Sequence, residues 1–253
     1  MPVTPKLLRR LSGLGLAGFL VAACSSGPAQ PSASLGNVTN RTVSASIASI
    51  PLTTQGGKTT TIGSYKGKTL FLVPFLTLCP DVCPFTTGNL LAVQASLEAA
   101  TQQNDVEILE LSVDPERDTP TRLAAYAKNV GASWTMAVAS VADTTTLMKY
   151  FGITTERMDS EGSVIDWMTG QPLTYDLSHS DGFSVINPAG VERFVSGAAP
   201  SFHGTLPSVL GNFLSSDGKA TLADPPKNGW TPAQALSAIS WVAGTEIPLA
   251  TKH

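Results

Sequence analysis

The chain has 253 residues, a net charge of −3 and only 14% charged residues. No lysine or arginine run follows the first ten residues, which argues against a nucleic-acid surface. Of its three cysteines, one lies in an export-type leader, so the body of the chain keeps two, four positions apart.

Lys6, Arg9 and Arg10 form a basic start, and Leu11 to Ala22 is an apolar run. The run is shorter than the roughly 20 apolar residues a bilayer span needs and reads as a signal peptide over residues 1–23. It ends Val21-Ala22-Ala23-Cys24, which resembles the bacterial lipobox. In that class, cleavage leaves the cysteine, here Cys24, as a diacylated N-terminus. Ser25–Asn40 is rich in Ser, Pro, Gly and Ala, with no charge before Arg41. Residues 24–44 are therefore expected to be a flexible tether. The location implied is the extracytoplasmic face of the cell membrane, where a retained cysteine pair is either a disulfide or is held reduced for a reason. About 210 residues remain, enough for one domain with a sizeable core. They divide into a domain over 45–216 and a C-terminal extension over 217–253.

In chain order, Ser46–Leu52 and Lys58–Ile62 are predicted strands flanking Gln55-Gly56-Gly57, a hairpin signal. Lys68–Phe75 is a continuous apolar run, expected as a buried central strand. Thr77-Leu78-Cys79-Pro80-Asp81-Val82-Cys83-Pro84 follows, then a helix over Thr86–Ala100 with Leu90, Leu91, Val93 and Leu97 available for burial. Val106–Val113 is a second strand. Asp118-Thr119-Pro120 caps a helix to about Lys128. Trp134–Ala139 is a third strand, and Thr144–Phe151 a helix ended by Gly152. Asp166–Pro172 reads as a loop. Phe183–Asn187 and Val191–Ser196 pair through the Asn187-Pro188-Ala189-Gly190 turn, and Leu206–Leu214 is a last core helix. Asp224-Pro225-Pro226-Lys227 is a linker, and Thr231-Pro232 starts a short helix to about Val242.

This β-α-β-α-β order with a hairpin and helix predicts an α/β fold, a mixed central sheet flanked by helices. A thiol pair between the first central strand and its helix is the thioredoxin-like arrangement. Reactive groups in open α/β sheets gather at the carboxyl ends of strands, which would bring together Cys79–Cys83, Asp114–Asp118 and the segment around His179. Two sulfurs this close can share a soft metal, form a disulfide, or exchange between those states. Residues i and i+4 of a helical turn have Cβ atoms about 5–6 Å apart, near the Cα range of a disulfide. Pro84 suits a first helical position, so the helix dipole is expected to lower the thiol pKa of Cys83.

Three blocks carry a closer resemblance: Thr77–Pro84, then Ser112-Val113-Asp114-Pro115-Glu116-Arg117-Asp118-Thr119-Pro120, then Ser178-His179-Ser180 before the hairpin. With the lead-in Gly63-Ser64-Tyr65-Lys66-Gly67-Lys68, they resemble the Sco/SenC family over roughly Ser46–Leu214. The resemblance implies a thioredoxin-like fold, a membrane tether and one copper ion, with Cys79, Cys83 and His179 as ligands by position. It also implies a copper chaperone whose partner is subunit II of cytochrome c oxidase, in building its dinuclear copper centre. Two departures stand out. Ser178 replaces the aspartate the family commonly places before the ligand histidine, and Phe75-Leu76 replaces a more usual glycine-aromatic pair. His203 and His253 lie outside the blocks and read as non-ligands. Asp114 and Arg117 read either as a strand-end cap with a surface ion pair, or as charges that orient the loop or face a partner.

Other readings compete. An extracytoplasmic thiol–disulfide oxidoreductase would use Cys79 and Cys83 catalytically without His179, although C-x2-C is its usual spacing. A structural disulfide would close only a small, weakly stabilising loop. A thiol peroxidase signature P-x3-T-x2-C is not met by Pro74-Phe75-Leu76-Thr77-Leu78-Cys79, and a zinc site lacks a fourth ligand.

Overall fold

The computed structural model describes residues 1–2, 27–160 and 164–251. The leader's apolar run, Cys24 and His253 lie outside the described residues. No helix among the described residues is long and apolar enough to cross a membrane.

In chain order the elements are β1 (Asn37–Thr42), α1 (Ala45–Ala48), β2 (Leu52–Thr54), β3 (Thr59–Thr60), a 3-10 turn (Ile62–Tyr65), β4 (Thr69–Phe75) and α2 (Cys83–Ala99). Then come β5 (Val106–Ser112), α3 (Pro120–Val130), β6 (Thr135–Val138), α4 (Val141–Phe151), β7 (Thr155–Asp159), β8 (Tyr175–His179), β9 (Phe183–Ile186) and β10 (Val191–Ser196). Three helices close the chain: α5 (Ser208–Phe213), α6 (Ser216–Ala223) and α7 (Pro232–Ala243). Eight strands form one mixed sheet in the order β1-β10-β9-β4-β5-β6-β2-β3, while β7 and β8 form a separate ribbon.

Every residue of β4 is buried, as a continuous apolar run dictates for a strand covered on both faces. It runs parallel to β5 and antiparallel to β9. Pro74 sits inside this central strand, a position that normally forbids proline because it has no N–H to give the ladder. Here β9 pairs only with Leu70, Phe71 and Leu72, so Pro74 lies where that ladder has already ended. The sheet therefore opens beside the end of β4, on the side where the segment after β8 arrives.

The first two predicted strands are corrected in part. Leu52 pairs with Thr60, as the hairpin requires, but Ala45–Ala48 is a helical turn, because the Ser44 side chain accepts the Ile47 N–H. It buries Ile47, and Ile50 just beyond it is buried too, a helical rather than an alternating spacing. The tether reading of 24–44 is corrected at its C-terminal end, since β1 (Asn37–Thr42) pairs along β10. Arg41 grips Glu192 through Nε and Nη2 at 3.0 and 2.9 Å and the Tyr150 carbonyl through Nη1 at 2.6 Å. At Gly36 a Cβ would stand 2.2 Å from the Val195 carbonyl oxygen, so only glycine lets the chain approach β10 there.

Residues 217–253 are read from sequence as an extension, yet Trp230 and α7 within them pack against the sheet. Trp230 is fully buried and meets Phe183 and Phe71 edge-on, at 5.6 and 6.4 Å between ring centroids. α7 follows with a Thr231–Gln234 capping box and buries Ala235, Leu236, Ala238 and Ile239.

One buried acid gives the fold a pH dependence. Glu110 of β5 is fully buried and accepts the Trp134 indole N–H at 2.7 Å. Burial raises its carboxyl from 4.5 to about 8. The folded state then holds more protons than the unfolded one between those values, so stability is full below about 4.5 and is lost as pH rises through about 8. Unfolding free energies of the wild type from urea titration should fall across that window at a limiting slope of about 1.4 kcal/mol per pH unit. Glu110→Gln should flatten the curve; an unchanged slope in the variant would assign it to other groups.

Candidate metal centre

The loop between β4 and α2 is pinned at Thr77. The buried Asp118 carboxylate accepts the Thr77 N–H at 3.2 Å, its hydroxyl at 2.5 Å and the Ser112 hydroxyl at 2.6 Å. Burial raises Asp118 to about 6 against these donors. From Thr77 the chain turns so that Cys79 Sγ faces the open end of α2, accepting the N–H groups of Val82 and Cys83 at 3.5 and 3.4 Å. Those are two of the donors every helix start leaves unsatisfied. Pro84, second in the helix, has no N–H to satisfy.

Cys83 opens α2, buried to 2% exposure, while Cys79 is partly exposed. Both are free thiols. The third block arrives from the ribbon, where His179 ends β8. Its Nε2 lies 3.5 Å from Cys83 Sγ, and its Nδ1 lies 3.0 Å from the Ser180 carbonyl oxygen. A carbonyl only accepts, so Nδ1 carries the proton and Nε2 keeps its lone pair toward the sulfur. This answers the Ser178 departure. Ser178 is exposed on β8, and a backbone carbonyl orients the ring, the task a carboxylate often performs for a ligating histidine.

The thiol expected to be acidic is the wrong one of the pair. The Cys79 thiol is pulled down, first by the hydrogen bond from Cys83 and, against burial, by backbone N–H groups at the helix start. The Cys83 thiol is pushed well up by that same bond, by burial and by the charge on Cys79. The helix N-terminus acts on the sulfur its N–H groups point at, and that sulfur belongs to Cys79. Burial lowers the imidazole pKa of His179, which favours the neutral, lone-pair form.

Two sulfurs and one imidazole nitrogen make a donor set soft enough for Cu(I). As they stand, Cys83 is within hydrogen-bond distance of His179 Nε2 and hydrogen-bonds to the Cys79 sulfur. Among the described residues no group of three His, Cys, Asp or Glu side chains is already spaced around a metal ion. His203 stands apart from these donors, bonded to Ser201 Oγ at 3.1 Å.

A second layer, largely invisible in the sequence, carries His179 to this place. The Asp114 carboxylate takes Arg117 Nε at 2.5 Å and the Tyr175 hydroxyl at 2.6 Å. Arg117 also donates to the Tyr175 carbonyl at 2.8 Å. The guanidiniums of Arg117 and Arg157 stack on the Tyr175 ring at 3.7 and 3.6 Å, and Arg157 reaches Glu116 at 2.8 Å. Tyr175 begins the strand that His179 ends, so this knot ties β8 to the loop after β5. Asp114 and Arg117 therefore form a buried clamp rather than a surface pair. The Asp166 turn is tied down likewise. Arg122 holds both carboxylate oxygens at 2.8 and 2.7 Å, and Trp167 Nε1 donates to the Thr77 carbonyl at 2.8 Å. Burial alone would raise Asp166, but Arg122 and the Met168 N–H bring it to about 2. Phe75 and Leu76 are fully buried behind the loop.

Comparison with known proteins places this arrangement. The SCO1/SenC family model matches residues 40–200, more than half of the chain. The chain belongs to the SCO1/SenC family. The mitochondrial human "Protein SCO1 homolog" is 38% identical over 77 residues, covering 30% of this chain and 26% of that protein. The "SCO1 protein homolog" of Bacillus subtilis is 37% identical over 81 residues, covering 32% and 40%. The matches thus span well under two thirds of these SCO1/SenC relatives. The structure of Bradyrhizobium japonicum ScoI with copper bound superposes with a TM-score of 0.50 at 24% identity, covering 65% of this chain and 97% of that one. The fold of this SCO1/SenC chain is thus thioredoxin-like, with both cysteines at the strand–helix junction.

Proposed function

We propose that this protein is a membrane-anchored copper chaperone that delivers copper to the dinuclear copper site of cytochrome c oxidase subunit II. The observation that carries the reading is the convergence of two thiols of one loop with an imidazole from a distant strand. Cys83 Sγ lies 3.5 Å from His179 Nε2, and the Cys79 sulfur takes a hydrogen bond from the Cys83 thiol. The membership of the chain in its family and the copper in the Bradyrhizobium relative support the same reading.

The cargo is a copper ion, and the residues divide the work of holding it. Cys79, partly exposed and with a lowered pKa, is the entry ligand, because thiolate and not thiol binds metal. Cys83 and His179 complete a three-donor site as the Cys83 proton leaves. Three donors leave an ion open to a further ligand, so an acceptor's thiolate can join before these let go. That is the property release requires. Cys24 supplies the anchor in this reading, with residues 25–36 as the spacer before β1. Cys24→Ala should prevent lipid labelling, and normal labelling would remove the anchor.

The second reading, a copper-independent thiol–disulfide oxidoreductase, is favoured by one observation. A lowered, partly exposed thiol beside a raised, buried one is the attacking and resolving pair of dithiol chemistry. Anaerobic Cu(I) titration of the reduced chain from Gly27 onward, against a competing chelator, separates the two. The chaperone predicts tight binding of one ion per chain. Weak or non-stoichiometric binding would leave the oxidoreductase.

A further inference from the structure

The family match ends at residue 200, yet the chain beyond it reaches back to the cysteine loop. Ser215 N–H donates to the Pro80 carbonyl at 3.1 Å, and the Ser215 hydroxyl donates to Asp81 Oδ1. Pro80 and Asp81 are two of the three residues between the cysteines. Ser215 also caps α6, accepting the N–H groups of Asp217 and Gly218 at 3.1 and 3.0 Å. In that same first turn, a Cβ on Gly218 would stand 2.5 Å from the Pro80 carbonyl oxygen and 3.3 Å from Asp81 Cα. Gly218 is itself buried. The start of α6 is thus fitted against the loop, and glycine is what allows the approach.

We propose that Ser215 is a positioning residue for the site. Acting through Pro80 and Asp81, it holds the Cys79–Cys83 loop in its compact turn, so that α6 sets how readily the two sulfurs are exposed and give up a bound ion. The bonds to Cys79 Sγ come from Val82 and Cys83, so the turn between the cysteines must keep its shape for that sulfur to stay seated. The Trp167–Thr77 bond holds the loop near its start, and Ser215 holds its middle. With the middle released, the turn can open while its ends stay fixed.

For the ion-transfer half, the inference rests on the copper reading above; for the sulfurs alone, it does not. The experiment therefore has two readouts on the reduced chain from Gly27 onward. The first is the alkylation rate of Cys79 by iodoacetamide, which needs no copper. The second is the rate at which bound Cu(I) passes to excess chelator. Ser215→Ala and Asp81→Ala should each speed both by about five- to tenfold, the scale of one or two lost hydrogen bonds. Asp81→Asn keeps an acceptor for Ser215 while removing the charge, and should stay within about twofold of the wild type; Ser215→Thr should do the same. Asp81→Ala leaves the α6 cap intact, so its effect cannot come from fraying that helix. Wild-type alkylation rates in both alanine variants would overturn the proposal, as would Asp81→Asn matching Asp81→Ala, because charge and not the contact would then be the cause. Faster alkylation in a chain that binds no copper would keep the positioning role and defeat the copper reading alone.

Discussion

Cys83→Ser is expected to abolish tight Cu(I) binding, and Cys79→Ser to do nearly the same. Loss of an outer partner to a metal ligand costs 10–100-fold in affinity, so loss of a thiolate should exceed about a hundredfold. A serine hydroxyl is a hard donor that stays protonated at neutral pH, and it gives Cu(I) none of the soft character of a thiolate. The two cysteines differ in what else they hold. Cys79 also receives two N–H groups at the start of α2, which a serine oxygen can still accept, so its variant should keep its fold. Cys83 is buried and borders the imidazole, so its variant should lose the metal and a little stability, a hydroxyl costing more to bury than a thiol. His179→Ala should weaken binding by a smaller factor, because two thiolates remain. Each is read by the same competition titration, and unchanged affinity in any variant removes that residue from the site.

Asp114→Ala should be the most damaging single change outside the ligands. Asp114 has 3% and Arg117 13% of its side chain exposed, so the change strands a guanidinium in the interior. Breaking a buried pair from one side costs about 3–5 kcal/mol, here increased by a Tyr175 hydroxyl that loses its acceptor. Urea unfolding of the wild type and the variant measures this, and a loss below about 1 kcal/mol would show the pair to be solvated. Arg117→Met added to Asp114→Ala should recover part of the stability, because the stranded charge is gone. Copper affinity should recover less, since Tyr175 stays untied and with it the strand that ends in His179.

The central elements were legible because their cause is local. β4 is a run of apolar residues, α3 starts at Thr119-Pro120, and α3 and α4 end at Gly131 and Gly152 with φ of 78° and 70°, a backbone region glycine occupies at little cost. The two cysteines stood out by spacing, and His179 by its place among the resembling blocks. What the sequence hid arises from contacts made across the fold. All five residues of β7 are exposed, so no apolar alternation announces that strand. Tyr175 is joined to Asp114 across 61 positions, and no pattern in either segment names the other. β1 reads as tether because the segment is rich in Ser, Pro, Gly and Ala and uncharged before Arg41, yet its pairing with β10 and the bidentate grip of Arg41 on Glu192 make it part of the sheet. The lowered thiol pKa falls on Cys79 and not on Cys83 for a related reason. Sequence places Cys83 at the helix start, but only the turn through Pro80 and Asp81 brings the other sulfur under the N–H groups.

X-ray absorption of the Cu(I)-loaded, anaerobic protein at the copper edge tests the central claim most directly, because it reads the donors without a mutation. The account predicts two sulfurs and one imidazole nitrogen around each copper, with the nitrogen missing in His179→Ala. Two sulfurs with no nitrogen in the wild type, or a mixture of oxygen donors, would contradict it.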